Sequence, residues 1–266
     1  MTRATRGKTA DPRQPGLHCS ITDAELYDLG AETLLASWQL YARGASGASL
    51  HRFAGVAIAV FPDEPERGVY NNALLERDLS AVERGDAIAA MQGVYEQAGV
   101  TRFAAWVHES DAAMRSDLEG RGYTVDEITR AMGMPLDDLS PRRPELELGP
   151  TDFVEHMRIA GLPPGFLCGI DAAAFHVVVA RQGGESVATG IAFDLGSDCG
   201  IYNVGTIEPA RRRGLGTAIT ALLLHDALER GCRTASLQST AMAERLYAAL
   251  GFRDLGRILE YTPPQP

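Results

Sequence analysis

The sequence aligns with itself. Tyr70-Asn71 falls on Tyr202-Asn203, 132 residues later, and Gly99 falls on Gly231 at the same separation. Further on, Gly122-Tyr123 falls on Gly251-Phe252 at a separation of 129, so the first half carries three extra residues in its last loop or helix. Between these anchors, helical pattern falls on helical pattern. An internal duplication explains a repeat at this spacing better than chance does. The length of 266 residues suits one large or two small domains, and 45% hydrophobic content supplies the apolar surface for real cores.

Within each block, helical and alternating patterns succeed one another. In the first, Thr22-Asp23-Ala24-Glu25 has the form of a capping box and predicts a helix to about Ala42. Gly44 to Ser49 reads as a turn, Phe53 to Phe61 as a strand, and Val69 to Ala73 as the start of a second. Ser80 to Ala98 is helical, Thr101 to Val107 a strand, Ala112 to Glu119 a helix and Ile128 to Met134 a strand. Pro141 and Pro144 mark a linker. In the second block, Thr151 to Ala160 is a helix and Leu162 to Gly169 a loop. Phe175 to Arg181 and Ser186 to Leu195 form a hairpin, and Gly200 to Ile207 is a further strand.

That strand runs into Arg211-Arg212-Arg213-Gly214-Leu215-Gly216-Thr217, followed by the helical spacing of Ile219, Leu222, Leu223 and Leu228. Glycines admit close backbone approach and dihedrals barred to other residues. The first amides of a helix lack partners and carry its positive end. Strand, glycine turn and helix therefore make a cradle for an anion such as a pyrophosphate. The same segment also reads as a basic surface turn capping a helix. The dinucleotide fingerprint Gly-x-Gly-x-x-Gly and the Gly-Lys-Ser/Thr loop are both missing, which speaks against a Rossmann-type nucleotide protein.

Arg211-x-x-Gly214-x-Gly216 resembles the pyrophosphate loop of the GNAT superfamily of acyl-CoA-dependent N-acyltransferases. Ala235 to Phe252, with Leu246-Tyr247 and Leu250-Gly251-Phe252, is similar to a second signature of that family. The resemblance covers Leu146 to Thr262 well and the first half loosely. It implies an α/β (α+β) fold of two GNAT-like halves, each a mixed, largely antiparallel sheet flanked by helices. The expected boundaries are a disordered tail at 1–17, a degenerate domain at 18–136, a linker at 137–145 and a catalytic domain at 146–266. The first half is expected to be degenerate because Val82 and Arg84 fall on Gly214 and Gly216, and Leu118 on Tyr247. An unrelated α/β first domain is the alternative.

The resemblance also implies site residues. Val204, Gly205 and Thr206 would pair with a pantetheine arm, and an amide of this strand would face the thioester oxygen. Gly205 reads equally as strand packing. Arg211, Arg212, Arg213, Gly214, Leu215, Gly216 and Thr217 would hold the pyrophosphate of acetyl-CoA, and Thr240 falls where relatives touch the cofactor. Tyr247 is the candidate general acid, with core packing as its alternative. For the general base the sequence offers Asn203, and Glu208 acting through water or simply facing solvent. His176 and Asp194 fit a core or surface place equally, and His225 on the long helix reads as structural. His18, His51, His108 and His156 show no ligand spacing, so no metal is expected. The implied activity is acetyl transfer to a primary amine of a small molecule or peptide; the alternative is an acyl-CoA-binding module without turnover.

Charge and cysteines set the remaining expectations. A formal charge of −10 with no dominant basic face argues against nucleic acid. Cys19, Cys168, Cys199 and Cys232 are scattered, as in a reducing cytosol. The polar start shows no secretory pattern and no apolar run spans a bilayer, so the expectation is a cytoplasmic protein away from membranes. A homodimer stays open.

Overall fold

A computed structural model describes residues 21–65, 70–163 and 169–264. The expected tail at 1–17, with His18, Cys19, Val69 and Cys168, lies outside the described residues. The elements run α1 (Asp23–Arg43), β1 (Ser49–Phe53), β2 (Val56–Val60), β3 (Asn72–Leu75), α2 (Ala81–Gln97), β4 (Ala104–His108), α3 (Ala112–Glu119) and β5 (Thr124–Pro135). They continue α4 (Phe153–Ala160), β6 (His176–Gln182), β7 (Glu185–Leu195), β8 (Asp198–Thr206), α5 (Leu215–Arg230), β9 (Thr234–Thr240), α6 (Glu244–Leu250) and β10 (Arg253–Thr262). The order helix, three strands, helix, strand, helix, strand occurs twice. Equivalent helix ends carry the same backbone device: Gly99 and Gly231, and Gly122 and Gly251, all have positive φ.

Among the described residues ten strands form one sheet, in the order β1-β2-β3-β4-β10-β5-β9-β8-β7-β6. The pairs are antiparallel except β3–β4 and β8–β9. The mixed, largely antiparallel, helix-flanked sheet expected from the sequence is therefore present, but as one continuous sheet through both blocks. The two last strands trade places. β10, from the end of the chain, pairs with β4 and separates it from β5; β5, from the first block, pairs with β9 of the second. Side chains follow the exchange. Leu259 and Tyr261 of β10 join the core under α2 and α3, whereas Met132 and Met134 of β5 join the core under α5 and α6.

The period of two along a strand sends neighbouring residues to opposite faces. Val56, Ile58 and Val60 of β2 face the core with α2, and Ala57, Ala59 and Phe61 face a third core on the other side. That third core joins the blocks. Leu34, Leu35, Trp38 and Tyr41 of α1 meet Met157 and Ile159 of α4 and Ile191 and Phe193 of β7. Four helices thus cover one face, and α1 with α4 the other. Burial of this kind contributes about 25 cal/mol per Å² of apolar surface, enough to fix the blocks against each other.

Several local expectations change in detail. Thr22 caps α1 with Glu25 completing the box, as read from sequence. The single strand expected from Phe53 to Phe61 is a hairpin, β1–β2, because Gly55 takes a φ of 82° and reverses the chain. The segment after Pro141 is fastened to α5: His225 donates from Nε2 to the Pro141 carbonyl at 2.9 Å, and Arg143 pairs with Asp226 and Glu229.

Candidate active site

β8 and β9 start together and part. They pair in parallel at Asp198↔Thr234, Cys199↔Ala235 and Gly200↔Ser236, and then pairing stops. β8 nevertheless continues to Thr206 and β9 to Thr240. The closed end is pinned by the buried Asp198 carboxylate, which accepts 2.7 Å hydrogen bonds from the Thr234 and Ser236 hydroxyls on β9. The opening has a backbone cause. β8 loses its one-to-one register against β7 between Tyr202 and Gly205, where one extra residue forms a β-bulge. Asn203, in the bulge, has a φ of 50°. Bulges bend the strand that carries them, and here the bend leaves the β9-facing edge of β8 unpaired.

The gap opens into a cavity of about 360 Å³. Ile201, Tyr202, Asn203 and Val204 of β8 form one side, and Gln238, Ser239 and Thr240 of β9 with Ala243 and Tyr247 another. Apart from Leu162, the remaining wall comes from the first block, including Trp38 and Tyr41 of α1 and Trp106 of β4. Tyr247 is 8% exposed, with its ring edge-on to Phe252 at 5.9 Å. Burial pushes its phenol up to about 12, so the hydroxyl keeps its proton at neutral pH.

Past β8 the chain turns through Glu208–Ala210 to α5. Gly214 is the N-cap of α5 with a φ of 77° and no side-chain cap, so no side chain answers the amides of the first turn. Open space surrounds the place where a Gly214 side chain would stand. At Gly216 a Cβ would come within 3.3 Å of Leu246 on α6, so this glycine also lets the two helices approach. Arg211, Arg212 and Arg213 are exposed beside the helix end; Arg211 donates from Nε to the Thr206 carbonyl at 3.1 Å. Arg212 takes a φ of 61°. Positive side chains and uncapped amides converge here, the arrangement that binds phosphate.

The other expected residues separate. Asn203, Val204, Thr240 and Tyr247 share the cavity. Glu208 does not line it; its side chain is exposed in the turn after β8. Gly205 is glycine for a packing reason, since a Cβ there would meet the backbone of Ile159 and Ala160 on α4 at 2.9 Å. His176 lies 3.4 Å from Asp194, whose carboxylate is already held by Arg230 at 2.5 Å. His156 is fully buried, shares a 2.8 Å hydrogen bond with Thr189, and is pushed down to about 4 by burial. Among the described residues no cluster of three His, Cys, Asp or Glu could hold a metal ion, and no helix is long and apolar enough to cross a membrane. Sequence reasoning missed the aromatic wall. Trp38, Tyr41 and Trp106 lie far from the glycine turn along the chain, and only the exchanged sheet brings them to it.

Known structures share this architecture. A GCN5-related N-acetyltransferase from Kribbella flavida is 20% identical with a TM-score of 0.66, covering 90% of this chain and 97% of that one. A GCN5-related N-acetyltransferase from Sphaerobacter thermophilus is 18% identical with a TM-score of 0.61, over 92% and 95% of the two chains. A tandem GNAT protein from the clavulanic acid biosynthesis pathway is 14% identical with a TM-score of 0.58, over 90% and 96%. At these identities the likeness is one of fold. No curated protein matches the chain. Residues 143–252, which hold the parting strands, the uncapped helix and Tyr247, match the acetyltransferase (GNAT) family.

Proposed function

We propose that the chain moves an acetyl group from acetyl-CoA to a primary amine of a small molecule or peptide, at one site in its second half. Acyl-CoA-dependent acetyl transfer is the general activity of the family matched by residues 143–252. The observation that carries the finer reading is an unpaired strand edge sharing one opening with a protonated tyrosine, while the uncapped end of α5 packs through Gly216 against Leu246, the neighbour of that tyrosine on α6.

The residues fit the donor. Amides of Leu215, Gly216 and Thr217, with Arg211 to Arg213, hold the pyrophosphate. The open edge of β8 at Val204 to Thr206 pairs with the pantetheine amides, as an added strand would. The Thr240 hydroxyl is a further contact at the tip of β9. In the chemical step the amine nitrogen attacks the thioester carbonyl carbon; the carbon–sulfur bond breaks and sulfur leaves with its electron pair. Tyr247 donates its proton to that sulfur, and the amine's surplus proton passes to water. The cavity that raises the phenol also penalises a bare thiolate, so donor and acceptor stay matched. No acid, histidine or lysine among the described residues lines the cavity, and Glu208 points elsewhere. The amine therefore enters uncharged, with Asn203 orienting it and no dedicated base.

We further read the first block, residues 18–136, as a degenerate copy of the same unit, joined through 137–145 to the active one at 146–266. Release of CoA thiol from acetyl-CoA over a panel of amines tests the activity, with calorimetry of CoA alone. Binding of one CoA per chain without turnover on any amine would replace the enzyme by an acyl-CoA-binding module.

A further inference from the structure

The acceptor side of the cavity has a chemistry of its own. Its first-block wall holds Leu34, Ser37, Trp38 and Tyr41 of α1, Tyr70 and Asn72 near the start of β3, and Trp106 of β4. Trp38 and Trp106 meet edge to face at 5.4 Å, and Tyr41 and Tyr70 do the same at 6.1 Å. Among the described lining residues none is Asp, Glu, Lys, Arg or His. An acceptor with a fixed negative charge, or with several positive ones, would shed its hydration there without a counter-ion, which is costly. A flat ring gains from edge and face contacts with four aromatic side chains. A single amine has Asn203 of β8 for a hydrogen bond. The volume of about 360 Å³ suits a small molecule of one or two rings.

We propose that the acceptor is an amine carried on a flat, apolar body, with its ring seated against Trp38, Trp106, Tyr41 and Tyr70 of the first block. This rests on the acyl-transfer reading of the same cavity. It gives the first block a positive role: with no anion cradle of its own, it supplies the specificity wall of the site in the second block.

The chain's two tryptophans, Trp38 and Trp106, both line the cavity, so intrinsic tryptophan fluorescence reports on the ring seat directly. Phenethylamine, putrescine and glutamate are titrated into the full-length protein, with and without saturating CoA. Phenethylamine should give a saturating change at concentrations at least tenfold below those needed by putrescine or glutamate. The half-buried Trp106→Leu variant should lose phenethylamine binding, followed by calorimetry, while calorimetric CoA affinity stays as in the parent. Putrescine or glutamate saturating at equal or lower concentration, or no saturation by phenethylamine, would overturn the ring seat even where CoA binds normally. Failure of the parent to bind CoA would instead overturn the acyl-transfer reading. The wild-type titration stands whether or not Trp106→Leu folds.

Discussion

The helices α2 and α5 occupy the same place in the two blocks and end differently. At α2, Ser80 is the N-cap, its hydroxyl accepting from the Glu83 amide while the Glu83 carboxylate accepts from the Ser80 amide. Side chains thus occupy the helix end and place a carboxylate where an anion would bind. At α5, Gly214 caps nothing and three arginines stand beside it. The strands before the helices differ in the same sense. β3 pairs with β4 through Leu74↔Trp106, to within one residue of its end, whereas β8 leaves β9 after Gly200. One block is closed and self-satisfied, the other open at the helix end and along a strand edge. A binding site here is a set of bonds the fold leaves unmade, and the sister block shows the same fold making them.

The largest expected difference concerns the tyrosine. Tyr247→Phe keeps the ring against Phe252 and removes the proposed proton donor. Turnover should fall by about 10²- to 10⁴-fold, mainly in kcat, with CoA affinity unchanged by calorimetry. The first block has Leu118 at the matching position, fully buried in its core. The volume-conserving Leu118→Met should leave turnover intact. A fully active Tyr247→Phe enzyme, with chemistry shown to limit the rate, would falsify the general-acid role.

The cradle comes next. Gly214→Val forces a branched side chain into a φ of 77° and into the space the phosphates need. Combined with Gly216→Arg it should weaken CoA binding at least tenfold, about 1.4 kcal/mol. Thr217→Glu makes a gentler test, because Thr217 is the third residue of α5 as Glu83 is of α2. A carboxylate there should repel the donor's pyrophosphate and lower affinity more at low salt than at high salt. Two equal CoA sites per chain, or unchanged binding in these variants, would break the assignment of one open and one closed block.

How much of this contrast is legible in the sequence depends on the distance over which each cause acts. The glycine turn, the capping box at Thr22 and the helical stripes are local, and they stand where the residues put them. The correspondence of Leu118 with Tyr247 is also readable, and it holds in the fold, where their carbonyls accept from the matching amides of Tyr123 and Phe252. The expected match of Val82 with Gly214 is not one of helix position, since Ser80 is the N-cap of α2 and Gly214 that of α5. The parting of β8 and β9 is not. It depends on a bulge at Asn203, and the sequence shows there only an Asn, a residue that tolerates the φ of 50° it takes in the fold better than most. The exchange of β5 and β10 escapes too, since each strand's apolar pattern fits either core. With it went the aromatic wall, whose residues converge only once the sheet is continuous. Glu208 looked available because it follows the strand directly, but the turn that brings the chain to α5 also carries its side chain to solvent.

The exchanged strands offer a pH test of the seam between the blocks. Glu260 of β10 pairs opposite Glu127 of β5. Burial first, then the charge of Glu127 and that of Asp126, push its carboxyl up to about 7, although the Thr129 hydroxyl donates to it at 3.2 Å. A folded value above the unfolded one means stability that is fully present below about pH 4.5 and lost as pH rises through 7. Glu260→Gln keeps an acceptor for Thr129 and removes the charge. It should stabilise the protein by on the order of 1–2 kcal/mol at pH 8, with the gain vanishing toward pH 5. Thermal melts at the two pH values read this directly, and a gain independent of pH would place the cause elsewhere.

The smallest effect isolates the closed helix end. Ser80→Ala removes the hydroxyl that accepts from the Glu83 amide, and loss of such a cap costs about 1 kcal/mol of stability. The variant should unfold at lower denaturant with an unchanged denaturant slope, because only the native state loses a bond. Opening the cap does not make a second cradle. The Glu83 carboxylate remains at the helix end, and β3 stays paired to β4 through Leu74. Calorimetry should therefore still count one CoA per chain in Ser80→Ala, and also in the double variant Ser80→Ala/Glu83→Ala, whose helix end is bare. A second binding event in the double variant would show that the capping box alone closes the first block. One event in both would assign the difference to the strands, with the parted edge of β8 as the part of the site that a helix end cannot replace.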